Sequence, residues 1–160
     1  MTAFTRAVKE VLRHEGGYVH DPHDPGGETN FGISKRSYPQ VDIRALTEQQ
    51  ARDIYRRDFW DALECDAMPE AVALVVFDAA VNQGPHAAIF DLQGAVGVPM
   101  DGVLGPVTRA AVSALPARDV LPRLVARRAM RYALNAHLTR YGLGWFTRLV
   151  RVTIAASAFA

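Results

Sequence analysis

Residues 14 to 34 read HEGGYVHDPHDPGGETNFGIS, and they concentrate the residue types that acid–base chemistry on a polar substrate needs. Glu15 closes an apolar-periodic segment, and Asp21 and Asp24 follow in Asp-Pro steps. Two carboxyl groups in different surroundings can divide the work of a proton donor and a charged partner. Glu15 lies four residues after Val11 and three after Leu12, on the apolar stripe of a helix. Partial desolvation there favours the neutral, proton-bearing carboxyl. The alternative for Glu15 is a helix-end glutamate that simply turns to water. Thr29 offers a hydroxyl for a water, and Gly16, Gly17, Gly26 and Gly27 let backbone approach a ligand or turn tightly. Tyr18, Phe31 and Tyr38 either stack on a ligand face or plug the core. His14, His20 and His23 beside Asp21 and Asp24 are permissible metal ligands. The Asp-Pro steps among them break regular helical spacing, so neither a metal nor a cofactor is expected.

The surrounding chain supplies helices to position that loop. Residues 2 to 15 carry Phe4, Val8, Val11 and Leu12 at helical spacing, with Thr2 as N-cap and Gly16-Gly17 as the stop. Residues 17 to 40 contain Asp-Pro twice, Pro-Gly-Gly and Tyr-Pro without a sustained period, which predicts a long loop with a short hairpin around residues 29 to 34. Thr47 to Gln50 form a capping box for a helix to about residue 59, with Ala51, Ile54, Tyr55 and Phe59 inward. Pro69 opens a helix to about residue 83, apolar on all sides over residues 72 to 77, and therefore the buried centre. Asp78 and Asn82 share one of its faces, either as satisfied structural contacts or as the floor of a cleft. Further helices are expected over residues 85 to 97, 106 to 115, 120 to 137 with Asp119 as cap, and 145 to 158, with Gly142 and Gly144 as punctuation before the last.

Composition narrows the class. With 160 residues, 49% hydrophobic and 22% charged, the chain fits a single domain with a sizeable core. The lone Cys65 excludes an internal disulfide and a cysteine-based zinc cluster. A net charge of +1 hides an asymmetry: residues 1 to 115 carry 10 Lys+Arg against 16 Asp+Glu, whereas residues 116 to 160 carry 8 Arg against Asp119. The basic part either meets an anionic polymer or an anionic membrane surface or balances the acidic part. No nucleic-acid motif accompanies it, so no nucleic-acid partner is expected. Arg6, Lys9, Glu10 and Arg13 interrupt the first 15 residues, which leaves no signal-peptide core. The expectation is a monomer made in the cytoplasm, which another route must deliver if its substrate lies outside.

Glu15-Gly16-Gly17-Tyr18, followed by the run from Asp24 through Pro25-Gly26-Gly27-Glu28-Thr29-Asn30-Phe31-Gly32-Ile33 to Ser34, resembles glycoside hydrolase family 108, a family of N-acetylmuramidases. A second block agrees: FDAAVNQG at 77–84, LQGAVG at 92–97 and DGVLGPVT at 101–108 resemble the family's peptidoglycan-binding region, and YGLGW at 141–145 resembles its Gly-Trp element. The resemblance implies a mostly α, lysozyme-like single domain over 1–160, with residues 1–84 as the catalytic part and 85–160 as a helical, peptidoglycan-binding-like part. It implies Glu15 as the catalytic acid, peptidoglycan glycan strands as the partner, and cleavage of the β-1,4 bond between N-acetylmuramic acid and N-acetylglucosamine. Similarity to phage-type lysozymes, which space an aspartate eight intervening residues after the glutamate, selects Asp24; Thr29 falls one residue short of the corresponding threonine, and Asp21 competes as the second carboxylate. Gly16, Gly17, Tyr18, Asp21, Phe31, Asp78 and Asn82 are the candidate substrate-binding residues. A non-catalytic wall-binding protein and a lytic transglycosylase using the same Glu15 are the rival functions, and the choice between inversion and retention rests on a carboxylate separation that only a fold supplies.

Overall fold

The structure, a computed structural model, describes residues 2–20 and 27–160. The first helix, α1 (Ala3–Glu15), starts where the Thr2 hydroxyl accepts the Thr5 backbone N–H and stops at Gly16, whose φ of 69° a side chain would resist. Val8 and Val11 are fully buried on its inner stripe. A small antiparallel sheet follows, built from β1 (Val19–His20), β2 (Glu28–Asn30) and β3 (Ile33–Ser34) in that order. Thr29 stands opposite both Val19 and Ser34. The β2–β3 hairpin is the one expected from sequence; β1 is additional, formed by residues whose alternation is too short to register as a strand.

Asn30 anchors the sheet to the body, donating through Nδ2 to the carbonyls of Ile43 and Leu46. The capping box between Thr47 and Gln50 then opens α2 (Glu48–Tyr55), which continues as a π-helical turn, Arg56–Asp61. That wider turn brings Trp60 into the core, where its indole N–H reaches Asp66 at 2.8 Å and its ring meets Phe77 and Phe4 edge-on at 5.4 and 5.5 Å. Cys65 follows in a short turn, and burial pushes its thiol up to about 12, an inert packing role.

The centre of the molecule is α3 (Glu70–Gln83), buried continuously from Ala71 to Ala80 as its apolar composition requires. Around it pack α1, α4 (Pro85–Val96), α6 (Ala117–Ala133) and α7 (Leu138–Ser157), while α5 (Pro106–Ala114) lies against α4. The architecture is mostly α with a three-stranded sheet after the first helix, a lysozyme-like domain. Gln93 holds the turn before α5 by bonding Asp101, Gly102, Val103 and Thr108.

Two boundaries differ from the sequence expectation. The helix expected over 120 to 137 begins at Ala117 with Pro116 at its cap and ends at Ala133, so Asp119 sits inside the first turn, where its charge suits the helix dipole. The last helix starts at Leu138 and runs through both Gly142 and Gly144. A helical glycine costs only about 1 kcal/mol, and Gly142 is buried where an added Cβ would lie 2.8 Å from Leu138 Cδ1. Its small size is used for packing, not for stopping the helix.

Asp78, Arg128 and Arg148 form a charged cluster inside this body. Asp78, 1% exposed, accepts from Arg128 Nη2 at 2.8 Å and from Arg148 Nε at 2.9 Å. Removing one member of a buried ionic cluster leaves its partners charged and dry, which typically costs about 3–5 kcal/mol. Asp78→Ala is therefore expected to lose about 3–5 kcal/mol in urea denaturation, whereas Glu48→Ala, which breaks a surface pair with Arg52, should barely move the midpoint.

Candidate active site

Glu15 is the last residue of α1, and its carboxyl stands where the helical body meets the hairpin. The side chain is 21% exposed, and Oε1 accepts from Arg148 Nη1 at 2.7 Å. Oε2 has no hydrogen bond from a described residue. One oxygen is thus clamped and the other is unpaired among the described residues.

The clamp continues inward as a chain of alternating charge: Glu15, Arg148, Asp78, Arg128. Arg128, fully buried, also reaches the Gln83 Oε1 and the Val75 carbonyl, and beyond it the Tyr132 hydroxyl donates to Asn82 Oδ1 at 2.5 Å. Each charge faces an opposite one, so the desolvation of two guanidinium groups is offset link by link. The Arg148 guanidinium is held above its ordinary range by Asp78 and then Glu15, against the opposing effect of its own burial, which is the largest influence on it. Arg148 is thereby fixed in both charge and position, and it fixes Glu15.

The hairpin closes over the other side of Glu15. At Gly32, φ is 78°, and a Cβ added there would come within 2.7 Å of Glu15 Oε2, 2.8 Å of Glu15 Cγ and 2.5 Å of the Tyr55 hydroxyl. Only glycine admits this approach. Phe31 beside it has φ of 51°, a left-handed conformation held in place because the Tyr55 hydroxyl donates to its carbonyl at 2.8 Å. Burial, then the nearby Glu15 charge, raises the Tyr55 phenol above its ordinary 10, so it remains a donor to that carbonyl.

The other sequence candidates distribute as follows. Asp21 and Asp24 lie outside the described residues. Thr29 is half-buried in β2, and because Asn30 beside it points inward, Thr29 faces the opposite side of the sheet. Gly16 and Gly17 are exposed immediately after Glu15, and Tyr18, 40% exposed, donates its hydroxyl to Glu28. Phe31 packs partly against the core. Asp78 is buried with both oxygens bound to arginines, and it supports Glu15 from beneath through Arg148. Asn82 reaches a surface pocket instead.

Sequence reasoning missed Arg148, Arg128, Gly32, Tyr55 and Tyr132. A signal existed for the arginines. Arg148 falls on the stripe of Trp145, Leu149 and Val152, and Arg128 on that of Leu121, Leu124 and Tyr132, positions where a charge needs a buried partner. Three arginines of the basic C-terminal part, Arg128, Arg131 and Arg148, are spent on Asp78, Asp91 and Glu15, so part of that basic excess is internal charge balance.

His14 precedes Glu15 and sits beside Arg148. Burial first, then the Arg148 charge, lowers its imidazole below the ordinary 6.5, and its Nε2 is buried without a partner among the described residues.

The sequence profile of glycosyl hydrolase 108 matches residues 8–84, from α1 through the sheet to the end of α3. The solved structure of SagA from Brucella abortus is similar over 98% of this chain and 94% of that chain, with 36% sequence identity and a TM-score of 0.86. No curated protein sequence matches the chain.

Two outcomes are expected from this geometry. Gly32→Ala should cost about 1–3 kcal/mol of stability through the positive φ alone, and it should lower turnover by at least about tenfold through displacement of Glu15. The His14 imidazole is held neutral in the folded state, so the unfolded chain binds the proton more readily. Its contribution to stability is complete above about pH 6.5 and is lost as pH falls below that value. Denaturation midpoints measured from about pH 7.5 to 5.5 should therefore fall less in His14→Gln than in the parent.

Proposed function

The chain belongs to glycosyl hydrolase family 108, and on that premise we propose that it cleaves the β-1,4 bond between N-acetylmuramic acid and N-acetylglucosamine, with Glu15 as the proton donor. The observation that carries this reading is the divided environment of the Glu15 carboxyl. Arg148 holds Oε1 at 2.7 Å, and Oε2 is left beneath the hairpin turn at Gly32 without a hydrogen bond from a described residue.

Breaking a glycosidic bond requires a proton on the departing oxygen and stabilisation of an oxocarbenium-like carbon. Glu15 pairs with Arg148 as a carboxylate between turnovers; once it has taken up a proton from solvent, Oε2 delivers that proton to the departing oxygen, while Arg148 keeps the carboxyl from rotating away. Arg148 is a positioning residue, since its own contacts are to Glu15 and Asp78. Asp24 supplies the second charge, either by orienting a water or by facing the cation, and Thr29 holds that water by its hydroxyl. Gly16 and Gly17, exposed beside Glu15, leave room for the strand, and Tyr18 presents an aromatic edge to it.

Mass spectrometry of fragments released from purified peptidoglycan tests the reading. Wild-type protein should release fragments ending in reducing N-acetylmuramic acid, and Glu15→Gln should release none, because an amide cannot donate the proton. Anhydro ends would replace hydrolysis by transglycosylation, and fragment release by Glu15→Gln at the wild-type rate would refute the Glu15 assignment. Asp24→Asn should lower turnover by about 10²-fold or more, and Asp21→Asn should lower it less. The reverse order would transfer the second role to Asp21.

A further inference from the structure

One helical turn beyond the ion chain lies a polar pocket of ≈ 330 Å³ lined by Asn82, Gln83, Arg131, Tyr132, Asn135 and Trp145. The same step occurs on three helices. Asn82 follows Asp78 by four residues on α3, Tyr132 follows Arg128 by four on α6, and Trp145 precedes Arg148 by three on α7. Each helix gives one residue to the chain that holds Glu15 and its neighbour on the same face to the pocket, about 5 Å further along the axis. The Trp145 ring is stacked on Tyr132 at 5.4 Å between centroids and 22° between planes, so the wall is set before any ligand arrives.

The hydrogen-bond accounts of the three amides share one feature. Gln83 Oε1 faces Arg128 Nε at 3.3 Å, and a guanidinium only donates, so the oxygen is the atom turned inward. Asn135 Oδ1 accepts the His137 backbone N–H at 2.9 Å. Asn82 Oδ1 accepts from the Tyr132 hydroxyl, whose oxygen is itself approached by Arg128 Nη2 at 3.4 Å, which directs the hydroxyl proton to Asn82. All three amide oxygens are engaged, and none of the three NH2 groups has a hydrogen-bond acceptor among the described residues. The Gln83 Nε2 is buried as well as unpartnered. Arg131 spends Nε and Nη2 on Asp91, at 3.0 and 2.8 Å, and keeps Nη1.

Each amide oxygen already holds one donor while the three NH2 groups hold no acceptor, so the unspent hydrogen-bonding capacity of the pocket is weighted toward N–H donors. A carboxylate, which only accepts, matches such a wall better than a sugar hydroxyl, which must also donate. Resting on the peptidoglycan reading above, we propose that this pocket is a subsite for a carboxylate of the acidic peptide stem that branches from the muramic acid residue. The stem then anchors the strand through the same three helices that hold Glu15.

Two measurements test it, and the first needs no turnover. Titration of Trp145 fluorescence with a free, acidic stem tetrapeptide should saturate, with Trp145→Phe removing the signal because Trp60 is fully buried. The same peptide with its carboxyl groups amidated should bind at least about tenfold more weakly, as should the acidic peptide to Asn135→Asp, which keeps the acceptor for His137 but turns a donor into a repelling charge. Equal binding of the two peptides, or no saturable change, would overturn the proposal. The second measurement is the ratio of kcat/KM on strands with stems to that on strands stripped of stems by an amidase. Wild type should favour stems, and Asn135→Asp should bring the ratio toward one. A ratio of one in the wild type, with both strands cleaved, would remove the stem subsite and leave the hydrolase reading intact. Saturable, carboxylate-dependent peptide binding by a protein that cleaves neither strand would do the opposite.

Discussion

The run of alternating charge from Glu15 through Arg148 and Asp78 to Arg128 is the interaction on which the arrangement of this molecule depends. It is buried at Asp78 and Arg128 and emerges at Glu15, so the same contacts that satisfy charges in the core also set the exposed carboxyl in place. Its members come from α1, α3, α6 and α7. Those helices must pack in one register for each charge to meet its partner, because a shift of one residue would leave a dry guanidinium or carboxylate. The apolar packing around α3 supplies most of the cohesion, and the ion chain selects one arrangement of it.

The sheet plays a complementary part. It adds little buried area, yet its hairpin brings backbone against Glu15 at Gly32, where a side chain would be excluded, and Tyr55 reaches across from α2 to hold the strained carbonyl of Phe31. The carboxyl is consequently bounded on one side by an arginine and on the other by bare backbone. A glutamate side chain with three free torsions would otherwise sample many positions. This glycoside hydrolase of the peptidoglycan-cleaving, muramidase type devotes residues from both halves of its chain to fixing one side chain.

The helices that follow residue 84 are part of this same device. Arg128 and Arg148 approach α3 from α6 and α7, and their next turns wall the pocket at Asn82 and Trp145. Within one packed body, the segment matched by the family profile and the segment beyond it share Asp78, so the site rests on contacts contributed by both.

By itself the sequence determined the elements with strong local signals. The Thr2 cap and Gly16 stop of α1, the capping box of α2, the all-round apolar face of α3 and the hairpin from Glu28 to Ser34 follow from periodicity, capping and turn chemistry within a few residues of each other. Glu15 stood out as the candidate acid because a carboxyl at the end of an apolar stripe and the family's EGGY element coincide there. The extent of α7 was not legible, since the stop signal of Gly142 was outweighed by packing against Leu138. Only the tertiary structure decided that Asp78 supports Glu15 from below, and that Arg148, 133 residues away in the chain, is the partner of Glu15. Burial marked both arginines as needing an acid, but a periodic pattern specifies which face a residue occupies, not which helix stands opposite. The identity of the partner is a property of packing among helices distant in sequence.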